Sequence, residues 1–424
     1  MVKPVEIYIG GSELLGYTEM TLKRTKDAMT GSFSASIFMG YVPTEPVLID
    51  VAKGNELQVK IGGHLAFTGS VDKRIGTGAK SGREGTAEHS GAVINSRSVS
   101  IGPDSYTVKI TSRGKTKYLI DSSHQHPTTN MLQPTNREAV ERLISPWKIK
   151  LEWMSATIKL DKVRFRDGAR VVDELNRVAT ENGHFLYETR DGSLRFTDST
   201  GGTVGEALIL GKNILTFSAE QNEDQVKSRI KVKGQRTKKE VWGEAATVTT
   251  YKEIEDTDVG SLIPIIVQHY GDGTPEALER RARFEANKRS SASKTVTVEV
   301  FHVQQSDGSP WDIGTEHYVE IPPEGIFDVF ECTALTYTVQ NDKTLKTTLT
   351  LSPLPASAAA GFAAGLSTIG LDPAMGSARK AIAGVTFAAG KYPAPWSSPS
   401  INVIEQVTFA GLDAVEKLAG LKGL

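Results

Sequence analysis

The sequence predicts a β-rich α+β fold: two β lobes flanking a small α/β module, followed by a low-complexity C-terminal tail. Three observations carry this. Short segments of alternating apolar residues dominate residues 1–118 and 207–354, the period expected of strands with one buried face. Within residues 119–206 the period turns helical and then returns to two. After residue 354, Ala, Gly, Ser and Pro take over.

The elements follow in order. Val5, Ile7 and Ile9 alternate and stop at Gly10-Gly11. In Ser32 to Phe38, Phe33, Ala35 and Ile37 point to one side. Leu57, Val59 and Ile61, a Gly62-Gly63 turn, then Leu65 and Phe67 have the form of a hairpin. Residues 76–104 are rich in Gly, Ser, Lys and Arg, which predicts a long mobile loop inside the first lobe. Tyr106, Val108 and Ile110 resume the strand pattern.

Thr135 with Glu138 three residues on reads as a capping box, opening a helix that ends before Pro146. The stretch DGARVVDELNRVATENGHFLYETRDGSLRF, residues 167–196, is the most legible. Val171, Val172, Leu175, Val178 and Ala179 fall at helical spacing, and Asn182-Gly183 supplies a stop. Phe185 and Tyr187, an Asp191-Gly192 turn, then Leu194 and Phe196 predict a hairpin. In the second lobe, Thr274 and Pro275 open a charged helix over 274–290. Strands surround it, the last two joined at Asn341-Asp342.

Composition excludes several classes. The net charge of −1 gives no global attraction to nucleic acid or anionic membrane. The single cysteine, Cys332, excludes an intrachain disulfide and a thiolate metal cluster. No apolar run is long enough for a conventional transmembrane helix, so no stable membrane insertion is expected. The opening MVKPVEIYIGG lacks the pattern of a secretory signal, so synthesis in the cytoplasm is expected.

The chemistry-bearing residues have bland readings. His184 stands beside Glu174, Glu181 and Asp191, which suggests an acid–base site. The apolar spacing, however, defines the buried face of the helix, and the carboxylates are expected on its wet side. His124 and His126 in HQHP project to one side of an extended segment and form the best metal candidate; no third ligand is near, although symmetric copies in an oligomer could provide it. GTGAKSG, residues 76–82, lacks the order and following helix of a phosphate loop. The basic run at 231–240 is offset by acidic residues just downstream. Cys332 lies in a strand context that suits a small buried side chain. No nucleophile or zinc motif occurs, and no catalytic residue, cofactor or metal site is predicted.

The order of elements carries a resemblance. SYTVKITSRGKTKYLIDSS, the helix–hairpin stretch, RRARFEANKRSSASKTVTVEV, and the strands from DGSPWDIG through NDKTLKTTLTLSP form a series over residues 1–354. It resembles the baseplate hub proteins of contractile-tailed, Mu-like bacteriophages, related to type VI secretion spike hubs. The resemblance implies a homotrimer in which residues 1–118 and 207–354 are tube-like β-barrel domains around the module at 119–206. It further implies a structural ring between the hexameric tail tube and the trimeric spike, with DNA crossing the central channel only in transit. A tail-associated cell-wall hydrolase or an adhesin is the alternative. The tail, 355–424, is expected to order only against a neighbouring tail protein such as a tape measure, through Phe362, Leu366, Ile369 and Leu371.

Overall fold

The computed structural model describes residues 4–39, 54–79, 105–125, 130–198, 203–222, 224, 227–237, 247–255, 263–271, 273–340 and 344–354. His126 and the tail residues Phe362, Leu366, Ile369 and Leu371 lie outside them.

Strands from both ends of the chain run in one sheet. From one edge its order is Ile214–Gln221, Lys294–Val300, Leu345–Pro353, Ile326–Val339, Tyr17–Thr25, Ser32–Met39, Ser105–Gly114, His64–Ala79, Glu56–Ile61, Val5–Ile9 and Ser12–Glu13. Thr315–Ile321 pairs with Ile326–Val339 off this path. The alternating residues of the sequence do face inward: Ile7, Leu57, Val59 and Ile110 are buried with Val298, Leu335 and Leu349 in a single apolar cluster.

Ile326–Val339 makes the sheet continuous. Leu345–Pro353 pairs along one edge, with a bulge between Cys332 and Ala334. On the other edge, Ile326 to Glu331 pair with Thr315–Ile321, whereas Ala334 to Val339 pair with Tyr17–Thr25. The change of partner falls at Thr333, whose carbonyl accepts the Lys26 N–H at 2.8 Å. A bulge bends and twists a strand, which lets one strand serve two neighbours in succession.

The expectation of two β-barrels needs correcting here. Among the described residues no barrel closes, and the two β lobes are two ends of one open sheet with one core. Alternation reports which face of a strand is buried and is silent about the neighbour at its edge. The loop expected over residues 76–104 also does not begin at residue 76. Gly76, Thr77, Gly78 and Ala79 pair with Val108, Thr107, Tyr106 and Ser105. Residues 80–104 lie outside the described residues.

The second layer holds helices α1 (Lys117–Asp121), α2 (Asn136–Ile144) and α3 (Val171–Asn182). Phe185–Glu188 pairs antiparallel with Leu194–Thr197, which pairs in parallel with Leu151–Met154. Val140, Leu143, Leu175, Val178 and Phe196 are buried together in this layer. The predicted capping box is present: the Thr135 hydroxyl accepts from Glu138 N, and the Glu138 carboxylate accepts from Thr135 N.

A third layer departs from the expectation for residues 207–354. Arg229–Thr237, Thr247–Glu255 and Pro264–Gln268 form their own three-stranded sheet. Against it lies α4 (Pro275–Ser293), with Leu278 and Ala282 on Ile230 and Val232. Thr274 caps α4 and Pro275 fills its first position, as predicted. Among the described residues, no helix is long and apolar enough to cross a membrane.

Candidate functional site: the polar junction around α3

Helix α3 buries Val171, Val172, Leu175, Val178 and Ala179, as its spacing predicts. It stops at Gly183, whose φ of 80° is a left-handed conformation that glycine adopts without steric cost. Of the acids expected on the wet side, Asp191 is exposed as predicted, but two are not. Glu174 is 0% exposed, Glu181 8% and the neighbouring His184 4%.

The reason is visible at Glu174. Its carboxylate accepts from Arg166 Nε at 2.8 Å and from Arg177 Nη2 at 2.7 Å. The arginines carry the water-facing ends, and the acid lies beneath them. Burial pushes the Glu174 carboxyl up, but the two guanidiniums outweigh it and hold it below the ordinary carboxylate range. At Glu181 burial wins over Arg177 and Arg281, and the carboxyl is raised. Asp191 caps its own turn, accepting from the Thr189 and Ser193 hydroxyls. Burial pushes its carboxyl up, and those hydrogen bonds bring it below the ordinary range.

His184 sits beside the Phe196 ring, 5.1 Å between centroids, and the edge of Trp153. Its Nδ1 is 2.8 Å from the Ser155 hydroxyl, which looks like a nucleophile–base pair. The network argues otherwise. Asn136 Oδ1 accepts the N–H groups of Arg137 and Ile158, both at 2.9 Å, so its Nδ2 must be the donor facing His184 Nε2 at 3.2 Å. Nε2 therefore accepts, and Nδ1 carries the proton and donates to Ser155. Burial lowers the imidazole to about 4, so it is neutral at pH 7 and already holds the proton a base would have to take. The pair is a structural contact.

The other candidates are similarly engaged. His124 is buried with Nε2 2.6 Å from the Arg166 carbonyl, so that nitrogen donates and is not free to ligate. Among the described residues, no three His, Cys, Asp or Glu side chains cluster as metal ligands. Cys332 is buried at the bulge, and burial pushes its thiol well up, consistent with a packing role.

The polar residues that do converge join the layers, and sequence reasoning missed them. Glu188 accepts from Gly31 N at 2.9 Å and Thr116 N at 3.0 Å, fastening the hairpin to the large sheet and to the start of α1. A Cβ on Gly114 would stand 1.7 Å from Glu188 Oε2, so any side chain there would displace that carboxylate. Burial raises the Glu188 carboxyl despite these donors. Nearby, Arg24 Nη1 meets Asp312 Oδ1 at 2.7 Å and its Nη2 reaches the Glu188 carbonyl at 3.3 Å, while Arg190 meets Asp312 Oδ2 at 3.0 Å. Burial would raise Asp312, and the two arginines bring it below the ordinary range instead. Lys26 binds Glu331 and lies 4.5 Å from the centroid of the Phe185 ring. No local spacing announces this cluster, because Arg24, Glu188 and Asp312 are far apart in sequence. Chemically it is a rigid joint that fixes the hairpin and α3 on the sheet.

Two regions of the chain match family models of phage baseplate proteins. Residues 4–88 match the N-terminal region of Mu phage baseplate assembly protein GpP-like proteins. Residues 116–198, the layer built on α1 to α3, match the second domain of baseplate hub protein gp44-like proteins. The chain is 23% identical over 319 residues to the baseplate hub protein gp44 of Escherichia phage Mu, covering 73% of this chain and 77% of that protein. Its fold is that of the 43 kDa tail protein of prophage MuSo2 from Shewanella oneidensis: TM-score 0.67, 19% identity, 82% of this chain and 98% of that one. A tail protein from Neisseria meningitidis gives a TM-score of 0.63 at 18% identity, covering 84% and 98%. An E. coli type VI secretion component, described as similar to T4 tail proteins gp27 and gp5, gives 0.51 at 10% identity, covering 82% and 77%. Together these matches bear out the resemblance carried by the series of elements: the chain is a relative of the Mu-type baseplate hub proteins of phage tails, akin in fold to type VI secretion components.

Proposed function

We propose that this chain is the structural hub of a contractile tail, acting as a homotrimeric ring that joins the hexameric tail tube to the trimeric spike around a central channel. The observation that favours this reading is the open end of the large sheet. Among the described residues its last strand, Ile214–Gln221, has no neighbouring strand on one edge beyond a single bridge from Ile214 to Leu210, and it is exposed over most of its length. Such an edge invites pairing or cover, and copies arranged around an axis would supply it. In that ring the β regions at 1–118 and 207–354 act as the tube-like domains, and the module at 119–206 braces them. DNA passes through the channel without being bound.

The role is structural rather than catalytic, in keeping with the proton already held on His184 Nδ1. The tail, 355–424, contacts a neighbouring tail protein through Phe362, Leu366, Ile369 and Leu371. Solution mass and electron microscopy test the ring: a trimer with a central hole is expected, and a monodisperse monomer at micromolar concentration overturns it. Deleting residues 356–424 should leave the trimer intact and weaken particle assembly. A clear zymogram band on peptidoglycan that disappears in His184→Ala would favour a hydrolase instead.

A further inference from the structure

A cleft of about 850 Å³ lies between the α3 layer and the three-stranded sheet carrying α4. One wall carries Leu132 and Lys162 to Arg164, parts of a ribbon in which Asn130–Leu132 pairs antiparallel with Lys162–Arg164. Val163 is buried, so Lys162 and Arg164 on either side of it project together to the surface, about 7 Å apart along the strand. Leu132, the cross-strand partner of Lys162, shares that face and is 78% exposed. Tyr270, 77% exposed, stands on the other wall.

The charges around the cleft are unevenly matched. Glu174 takes both Arg166 and Arg177, and Arg177 Nη1 also reaches Glu181 Oε2 at 3.3 Å. Glu181 Oε1 is sealed from solvent and cannot be reached from the cleft. Lys162 and Arg164, by contrast, are exposed and form no ion pair among the described residues. Asp161 is the exposed acid of the lining, so the open surface holds two cations against one carboxylate.

The backbone holds this face outward. Gln133, which follows Leu132, has a φ of 49°, a left-handed conformation that a non-glycine residue adopts at a cost. Its N–H donates to the Asp161 carbonyl at 2.9 Å, which keeps the turn in place. The Arg164 carbonyl accepts from Arg177 Nη2 at 2.7 Å, so the ribbon is anchored to α3 through its backbone and the Arg164 side chain is left to the cleft. An exposed leucine beside two uncommitted cations suits a ligand that brings carboxylates and apolar groups together. A nucleic acid fits less well, because only two cations are open, Asp161 stands beside them and the mouth is apolar.

We infer that this cleft receives an extended acidic segment of a partner polypeptide, with carboxylates two residues apart on Lys162 and Arg164 and an apolar side chain against Leu132. Carboxylates at that spacing lie on one side of an extended chain, at the same interval as the two cations. The site does not depend on the proposed ring: oligomeric state is read from solution mass and occupancy from titration, so either can fail alone.

The probe is the blocked heptapeptide Leu-Ser-Asp-Ser-Glu-Ser-Leu, titrated calorimetrically into the full chain. Saturable binding is expected, weakened about five- to tenfold when Asn and Gln replace its Asp and Glu. The same loss is expected in the chain carrying both Lys162→Gln and Arg164→Gln, and because both positions are exposed this variant should melt as the parent does. Leu132→Ser, which keeps the cations, should weaken binding about threefold or more. An oligothymidylate of equal length should bind more weakly than the peptide. Equal affinity for the uncharged peptide, unchanged binding by either folded variant, tighter binding of the oligonucleotide, or no heat with the acidic peptide at millimolar concentration would each overturn the proposal.

Discussion

The large sheet and the α3 junction bury side chains by different rules. In the sheet, burial follows the alternation of apolar residues: Val5, Ile7 and Ile9 go in, and their polar neighbours stay at the surface. At the junction, Glu174, Glu188, Arg24 and Asn136 are as buried as the valines beside them. The sheet is held by apolar area, which forgives changes of detail. The junction is held by specific donors and acceptors, which does not. Substitutions of similar size should therefore cost more at the junction than in the sheet.

The largest effect is expected at Gly114. Alanine there would collide with the Glu188 carboxylate and displace it from the Gly31 and Thr116 N–H groups. Overpacking and two orphaned donors together should cost about 4 kcal/mol or more. Leu57→Ala, in the middle of the sheet core, should cost about 3 kcal/mol. Chemical denaturation of both variants checks the ordering, and a Gly114→Ala variant as stable as the parent would remove the distinction between the regions.

Arg24 sharpens the comparison. Arg24→Met leaves Asp312 with Arg190 alone and should cost about 3 kcal/mol, much of it from the charge left behind. Replacing Asp312 by Leu as well should recover a good part of the loss, as judged by a double-mutant cycle. Additive losses would show that Arg24 acts through packing.

These positions also mark what the sequence could tell. Strand faces, the helix stop at Gly183 and the caps at Thr135 and Thr274 were legible because each depends on residues within a few positions. Pairing of Tyr17–Thr25 with Ile326–Val339 was not, because backbone edges carry no side-chain signature. Nor was the burial of Glu174, Glu181 and His184. A helical period separates apolar from polar, and only the fold shows that arginines cover the acids and that Asn136 and Ser155 satisfy the imidazole. The series of elements was a better guide to relatives than any single residue, since each matched region spans several successive elements.

Protonation separates the regions by pH. His184 and the sheet's His317 are both lowered by burial from an ordinary 6.5 to about 4. The unfolded chain takes up these protons near 6.5 and the fold refuses them until about 4. Their contribution is therefore complete above 6.5 and lost as pH falls through that window, by up to about 3 kcal/mol for each. Glu181 and Glu188, raised by burial, act in the opposite sense: they favour the fold below the ordinary Glu value and lose that contribution as pH rises through their raised values. Replacement isolates one term. In His317→Asn the pH slope of stability between 4 and 6.5 should fall by about one proton. An unchanged slope would mean that His317 is protonated in the fold.

The smallest effect belongs to the most legible contact. Thr135 and Glu138 satisfy each other's backbone N–H groups at the start of α2, and nothing outside that turn is needed to form the box. Thr135→Ala should cost about 1 kcal/mol, leave the rest of the module in place, and appear as a small shift of the denaturation midpoint with an unchanged slope. A cost near that of Gly114→Ala would mean that α2 transmits its loss to the junction through Asn136, the next residue, whose amide holds His184. Because Asn136 keeps its two N–H partners and His184 without help from the Thr135 hydroxyl, the local outcome is the one the geometry supports. Contacts readable from a few neighbouring residues are then the ones whose loss stays local, whereas the contacts that hold the layers together are those the sequence leaves unannounced.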